Sequence, residues 1–190
     1  MNFKGSKTEK NLLAAFAGES QARNRYTYAA GVAGKEGYEQ IAALFLETAD
    51  NEREHAKLFF SLLAGGEAEI LASYPAGVIG DTAANLRAAA DGEKFEWSSL
   101  YKDFAQTAQE EGFTEAYNTF TQVAKVEQYH EARYVALLKN VQGGTAFKKE
   151  GAVKWHCRNC GYVVEGKEAP AQCPACKHAQ AYFEVLAENY

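Results

Sequence analysis

Four stretches of this chain place apolar residues at helical spacing, and each stretch carries ionisable residues on the same stripe. The stripes cover residues 12–30, 41–62, 82–104 and 113–137. The ionisable residues on them are Glu19, Glu52, His55, Glu93, Glu96, Glu127 and His130. Because residues three or four apart share one face of a helix, these side chains point the same way as their apolar neighbours. Five buried carboxylates without counter-charge would cost more than the ~5–15 kcal/mol that stabilises a domain, so the core must also hold cations.

The connections between the stripes predict a particular topology. A short turn at Gly34–Gly37 joins the first two helices, and Gly112 separates the last two, whereas residues 65–80 form a longer connection between the second and third. Four amphipathic helices with one long crossover are typical of a ferritin-like four-helix bundle. We therefore expect a mostly α fold, with the bundle over residues 1–146 and a small β module over residues 147–190.

The ionisable residues have the pattern of a two-metal site. Glu19 and Glu93 stand singly on their helices, whereas Glu52–His55 and Glu127–His130 are both Glu-x-x-His motifs. This is the ligand set of di-iron and di-manganese carboxylate bundles. One such motif is a weak indication, since a lone glutamate is usually solvated and a lone histidine usually structural, but two motifs in register with the seams predict two divalent ions. The acidic residues off the seams, predicted to be solvated, are Glu47, Glu54, Glu110, Glu111 and Glu131.

The cysteines are confined to the end of the chain. They form two Cys-x-x-Cys pairs separated by twelve residues, Cys157 with Cys160 and Cys173 with Cys176. Two such pairs place four thiolates around one ion, either zinc or iron. Gly161 after the second cysteine and Pro174 after the third favour tight turns around an electron-carrying iron, although the spacing alone does not decide the metal. A disulfide framework is disfavoured, because the first 156 residues contain no cysteine.

Charge and hydropathy argue against some partners. The net charge is −5, so there is no basic excess to bind nucleic acid or an anionic membrane. No apolar run approaches the roughly 18 residues of a membrane span, and the first residues lack the apolar segment of a signal peptide. We therefore expect a cytoplasmic protein with no nucleic-acid or membrane partner.

Taken together, these motifs resemble the rubrerythrin family, in which a ferritin-like di-iron bundle precedes a rubredoxin-like domain. The resemblance covers essentially the whole chain, including residues 17–26, residues 52–57 and the Cys-x-x-Cys-Gly-Tyr and Cys-Pro-x-Cys motifs. It implies a peroxidase that reduces hydrogen peroxide to water, with two irons in the bundle and one in the four-cysteine site, where zinc can substitute. It also implies a rubredoxin or an NAD(P)H-dependent reductase as electron donor, and a head-to-tail homodimer.

The resemblance implies a role for each ligand in the bundle. Glu52 and Glu127 would bridge the two irons, and Glu19 and Glu93 would be terminal ligands. His130 would hold one of the irons throughout the reaction cycle.

The resemblance further implies that the other iron exchanges between Glu96 and His55 as its oxidation state changes. Such an exchange would add negative charge when the iron becomes more positive. Tyr26 lies on the same helix face as Glu19, and Tyr101 lies near the face of Glu93. Both tyrosines are candidates for hydrogen bonds to the carboxylates, or else they are core or interface residues.

Two other interpretations stay open. A ferritin-like bundle can also store iron or oxidise Fe(II) with oxygen, although Glu96 and the four-cysteine module argue against a ferroxidase. A binding or scaffolding protein would instead hold structural zinc at the four cysteines. A zinc tetrathiolate is colourless whereas a ferric tetrathiolate is red, so visible absorption separates these cases.

Overall fold

The computed structural model describes residues 2–189, and most of them are helical. The helices are α1 (Lys7–Lys35), α2 (Glu39–Ser61), α3 (Thr82–Phe95), α4 (Tyr101–Glu111) and α5 (Thr114–Gln142). A π-helical turn, Glu96–Leu100, joins α3 to α4 directly, so the two make up the third helix of a four-helix bundle. The extended segment between Leu62 and Asp81 is the long crossover. The prediction of a ferritin-like bundle is thereby confirmed.

Side chains close the exposed ends of the helices. The Ser6 hydroxyl accepts a hydrogen bond from the Glu9 N–H at 3.0 Å at the start of α1, and Asp81 caps α3 through the Ala84 N–H at 2.7 Å. Glu111 also caps α1, since its carboxylate accepts from both the N–H and the hydroxyl of Thr8, at 2.8 and 2.7 Å. Glu111 therefore stays at the surface, as predicted, but it also has a structural role that the sequence did not indicate.

The apolar core is divided into two parts along the bundle axis. One part lies around Phe45, Leu86 and Tyr134, and the other around Leu12 and Phe59. In each of the four bundle helices the ionisable residues of the stripe fall between these two parts in sequence. The site thus occupies a layer across the middle of the bundle, enclosed by apolar packing at both ends.

The C-terminal segment folds into a small antiparallel sheet. Its strands are β1 (Lys148–Cys157), β2 (Val163–Glu168) and β3 (Phe183–Val185), in the order β2-β1-β3. A small core forms around Trp155, Cys157 and Phe183, all fully buried. This agrees with the predicted β module.

The β module packs against one end of its own bundle. The rings of Tyr38, just before α2, and Phe147, just before β1, are stacked with centroids 5.9 Å apart and planes at 5°. Among the described residues, no helix is long and apolar enough to cross a membrane.

Candidate metal centres

Six of the seven ionisable residues on the stripes meet inside the bundle, in two clusters with two members in common. The clusters are Glu19, Glu52, His55 and Glu127, and Glu52, Glu93, Glu127 and His130. Within each cluster the carboxylate oxygens and ring nitrogens that can serve as ligands lie within 4.8 Å of one another. All six residues are buried. The packing of the bundle helices therefore brings these residues, which are far apart in the sequence, to one site.

The two shared glutamates lie between the two histidines. His55 Nδ1 is 2.8 Å from Glu52 Oε2 and 3.0 Å from Glu127 Oε1. His130 Nδ1 is 3.3 Å from Glu52 Oε1 and 2.7 Å from Glu127 Oε2. Each shared carboxylate thus turns one oxygen toward each histidine, which is the arrangement required of a ligand that bridges two ions.

Several polar atoms at the centre of these clusters make no hydrogen bond of acceptable geometry within residues 2–189. Eight atoms belong to this set: Oε1 and Oε2 of Glu52, Oε1 and Oε2 of Glu127, Oε2 of Glu19, Oε2 of Glu93, Nδ1 of His55 and Nδ1 of His130. A buried polar atom without a partner costs about 1–3 kcal/mol, so a set of this size requires a ligand. Carboxylate oxygens and imidazole nitrogens are donors that suit iron, and this set fits two ions.

Tyrosine hydroxyls hold the remaining oxygens of the two unshared glutamates. Tyr101 donates to Glu19 Oε1, and Tyr26 donates to Glu93 Oε1 at 2.5 Å. Both tyrosines are buried. One oxygen of each carboxylate is therefore fixed by a tyrosine while the other is left for a metal, which orients the carboxylate before any ion binds.

Asn51 is a residue of the site that the sequence analysis did not identify. Its Oδ1 lies 3.2 Å from Nε2 of His130, so an Nε2–H can donate to it and leave Nδ1 as the ligand atom. Asn51 precedes Glu52 in α2 and has no motif of its own. Only the packing of α2 against α5 shows what it contacts.

Glu96 is positioned differently from the other predicted ligands. It lies at the start of the π-helical turn, outside both clusters, and is half-buried. Burial, together with the negative charges of Glu93 and Glu127, raises the pKa of Glu96 well above its usual range. Of the two residues predicted to exchange at one iron, His55 thus belongs to a cluster, and Glu96 lies outside that cluster.

The buried carboxylates favour the protonated, positively charged form of both histidines. Burial disfavours the charged form of His55 and His130, but their contacts with Glu127 and Glu52 outweigh burial and raise their pKa values to about 9 and about 12. Burial opposes ionisation of Glu127 too, but the two histidines outweigh it and lower the pKa of that carboxyl. Metal binding must displace the imidazole protons, so it strengthens as the pH rises.

The four cysteines form a second centre in the β module. Cys157 Sγ is 3.7 Å from Cys176 Sγ, and Cys160 Sγ is 3.7 Å from Cys173 Sγ. Four sulfurs placed about 2.3 Å from a central ion would be about 3.8 Å apart, so these separations fit one tetrahedral ion. All four are free cysteines, as the metal-site prediction requires.

Two similar backbone turns hold the cysteine pairs. The Gly161 N–H donates to the Cys157 carbonyl at 2.8 Å, and the Lys177 N–H donates to the Cys173 carbonyl at 3.0 Å. Gly161 and Lys177 both have positive φ, 80° and 63°, so the second turn tolerates a side chain where the first has glycine. The N–H of His178 helps to lower the pKa of the Cys176 thiol to about 6, which favours the thiolate.

Two family models match the chain. One, described as rubrerythrin, covers residues 10–138, and the other, described as the rubredoxin-like domain of rubrerythrin, covers residues 155–184. The chain is 62% identical over 189 residues to a rubrerythrin from Porphyromonas gingivalis, with 100% of this chain and 94% of that protein aligned. It is 53% identical over 189 residues to a rubrerythrin from Nitratidesulfovibrio vulgaris, with 100% and 99% aligned.

Solved structures show the same architecture. Partially reduced nigerythrin superposes with a TM-score of 0.64 at 34% identity, over 96% of this chain and 90% of that one. Fully reduced, all-ferrous nigerythrin gives a TM-score of 0.63 at 34% identity, over 97% and 91%. These similarities extend over the bundle and the four-cysteine module together.

Proposed function

This chain is a member of the rubrerythrin family, and on that premise we propose that it is a peroxidase that reduces hydrogen peroxide to water. Its cofactors are iron, two ions in the bundle and one at the four cysteines. The observation that carries the proposal is the pair of buried clusters that share Glu52 and Glu127. The division into a di-iron domain over residues 1–146 and a rubredoxin-like domain over residues 147–190 is part of the proposal.

The reaction consumes two electrons and two protons, and converts one hydrogen peroxide into two waters. When bound, the two irons supply one electron each, and carboxylate ligands suit both of their oxidation states. Glu52 and Glu127 would each hold both ions as bridging ligands, because each belongs to both clusters. Glu19 and Glu93 are assigned as terminal ligands, each held in orientation by the tyrosine that donates to it.

His55 and Glu96 are assigned as alternating ligands of the same ion. His55 Nδ1 lies with Glu19, Glu52 and Glu127, whereas Glu96 stands beside that cluster on a π-helical turn. In place of the neutral imidazole, the carboxylate of Glu96 would supply the negative charge that offsets an additional positive charge on the ion. His130 is assigned as a constant ligand, since Asn51 at 3.2 Å from its Nε2 can hold the ring with Nδ1 toward the cluster.

Electrons are proposed to enter through the four-cysteine centre, from a rubredoxin or an NAD(P)H-dependent reductase. Within one chain this centre lies far from the clusters. The β module packs near Tyr38 at the start of α2, and His55 lies sixteen residues beyond Glu39, about 24 Å along the helix. Because electron transfer slows steeply with distance, we propose a head-to-tail homodimer in which each module serves the partner's bundle.

Mixed dimers test this arrangement. One chain carries Cys160→Ser, which disables its four-cysteine site, and the other carries Glu127→Ala, which disables its bundle. Neither homodimer should consume peroxide, whereas the mixed dimer should regain activity because one intact module faces one intact bundle. A mixed dimer as inactive as both homodimers would instead favour transfer within a single chain.

We place this activity in the cytoplasm, a reducing compartment, because the four cysteines are free and grouped as a metal site. The primary test is stopped-flow mixing of the anaerobically reduced, iron-loaded protein with one equivalent of hydrogen peroxide, and separately with oxygen. Visible absorption should show fast return of both ferric signals with peroxide and slow return with oxygen. The opposite preference would indicate a ferroxidase, and a colourless four-cysteine site full of zinc in native protein would contradict the electron-transfer role.

A further inference from the structure

A cavity of about 420 Å³ lies between the crossover and helices α1 and α3. Glu96 forms part of its wall, and so does Tyr26, whose hydroxyl donates to Glu93. The crossover contributes residues 71–75, and four of these five are exposed. The cavity therefore extends from the exposed crossover to Glu96, one of the proposed ligands.

Two glycines line this cavity from opposite helices. Gly18 is in the interior of α1 and Gly92 is in the interior of α3. Glycine destabilises a helix interior, because it gains more backbone freedom than other residues when the helix unfolds. Neither glycine has the positive φ that would require it. A Cβ added to either would meet no atom within 4 Å in the described chain, so close packing does not require glycine either.

We propose that Gly18 and Gly92 keep this cavity open as the passage by which peroxide reaches Glu96. This inference rests on the proposed peroxidase function. The basic side chains of Lys10 and Arg25 also line the cavity, so it offers polar groups to a small polar molecule. A water molecule takes up roughly 30 Å³ in the liquid, so about 420 Å³ admits hydrogen peroxide together with its hydration.

A second cavity nearby provides a comparison. It measures about 570 Å³ and lies between α4 and α5, with Trp97 and Tyr101 in its wall. Tyr101 lines it, but none of the proposed metal ligands does. The passage at Gly18 and Gly92 thus has the more direct approach to the site.

The test narrows the passage and measures entry in two ways. The variants are Gly18→Leu, Gly92→Leu and the double Gly18→Ala/Gly92→Ala, and the matched control is Gly31→Leu. Gly31 lies in the same helix as Gly18, also has open space around a Cβ, but is exposed and outside the cavity. The first readout is the second-order rate of reoxidation of the reduced protein by hydrogen peroxide. The second is the rate at which azide perturbs the visible spectrum of the oxidised, iron-loaded protein, which is binding rather than turnover.

Both leucine variants should slow peroxide reaction and azide binding together by about one to three decades, the range over which association rates vary among variants of one interface. The double alanine variant should slow them less, and Gly31→Leu should match wild type. Wild-type rates in both leucine variants would overturn the proposal. A leucine variant that cannot bind iron would also overturn it, because the cavity would then not have room for the added side chain. If wild-type protein does not react with peroxide, the proposed function fails, and the azide rates still decide whether the passage exists.

Discussion

The hydrogen bond from Tyr101 to Glu19 links α4 to α1 and controls one oxygen of a proposed iron ligand. Tyr101 is 1% exposed and Glu19 is fully buried. The hydroxyl donates to Oε1, while Oε2 of the same carboxylate has no hydrogen-bond partner among the described residues. Tyr101→Phe removes that hydroxyl and leaves both oxygens of Glu19 without a hydrogen bond. We predict that this substitution weakens metal binding at the cluster that contains His55.

The size of the effect follows from the bond that is lost. A hydrogen bond to a charged group contributes about 1.5–3 kcal/mol, and loss of a partner that orients a metal ligand costs about 10–100-fold in affinity, two figures that agree. The pH dependence has a definite sign. Burial and the neighbouring charges of Glu52 and Glu127 raise the pKa of Glu19 well above its usual range, and the Tyr101 bond opposes this rise. The variant's pKa should therefore be higher still, so its deficit should grow as the pH falls and protons compete with the metal.

The measurement is a titration of metal-free protein with Fe(II) or Co(II) against a competing chelator, under anaerobic conditions and at several pH values. Tyr134→Phe is the matched control, because Tyr134 is fully buried in the same bundle but its hydroxyl has no partner within the described chain. The nearby Thr48 hydroxyl has other hydrogen-bond partners, since it donates to the Leu44 carbonyl and accepts from the Arg133 guanidinium. Equal affinities in Tyr101→Phe and Tyr134→Phe would refute the reasoning, since they would show that the hydroxyl does not hold the carboxylate.

Three further outcomes are expected. Glu111→Gln should lower the melting temperature at neutral pH. Hydrogen bonds from Thr8 lower the pKa of Glu111, so the ionised carboxylate stabilises the folded protein at pH values above the usual carboxyl pKa. This stabilisation is lost as the pH falls through the lowered pKa, and the melting temperatures of the two proteins should therefore converge in acid. Gly31→Ala should stabilise α1 by about 1 kcal/mol, seen calorimetrically as a rise of about 2–4 °C, since nothing within the described chain would contact the added methyl. Removing the ion from the four cysteines should expose the fully buried Trp155 and shift tryptophan fluorescence, while far-ultraviolet circular dichroism keeps its helical signal.

Most of the bundle could be predicted from its sequence, because the period of an amphipathic helix determines which residues share a face. Glu52 and Glu127 each lie on an apolar seam, and the structure buries both between the two parts of the core. Two acidic residues off the seams make contacts with other helices that the apolar pattern does not predict. Glu111 caps the helix that begins about a hundred positions earlier in the chain, and Glu131 accepts a hydrogen bond from Trp97 Nε1 at 2.6 Å. Periodicity assigns a face relative to a residue's own helix, but it cannot say which neighbour covers that face.

The position of Tyr101 depends on a backbone irregularity that the sequence does not indicate. At about 100° per residue, a residue eight positions after Glu93 in a regular α-helix lies about 80° away from it around the axis. The Tyr101 N–H instead bonds to the carbonyl of Glu96, five residues back, so the π-helical turn accommodates one extra residue. Tyr101 then takes the direction of a residue seven positions on, about 20° from that of Glu93, which brings its hydroxyl to Glu19. Nothing in Glu-Trp-Ser-Ser-Leu distinguishes this turn from ordinary helix, so the hydrogen bond tested by Tyr101→Phe follows from backbone geometry rather than from the apolar pattern.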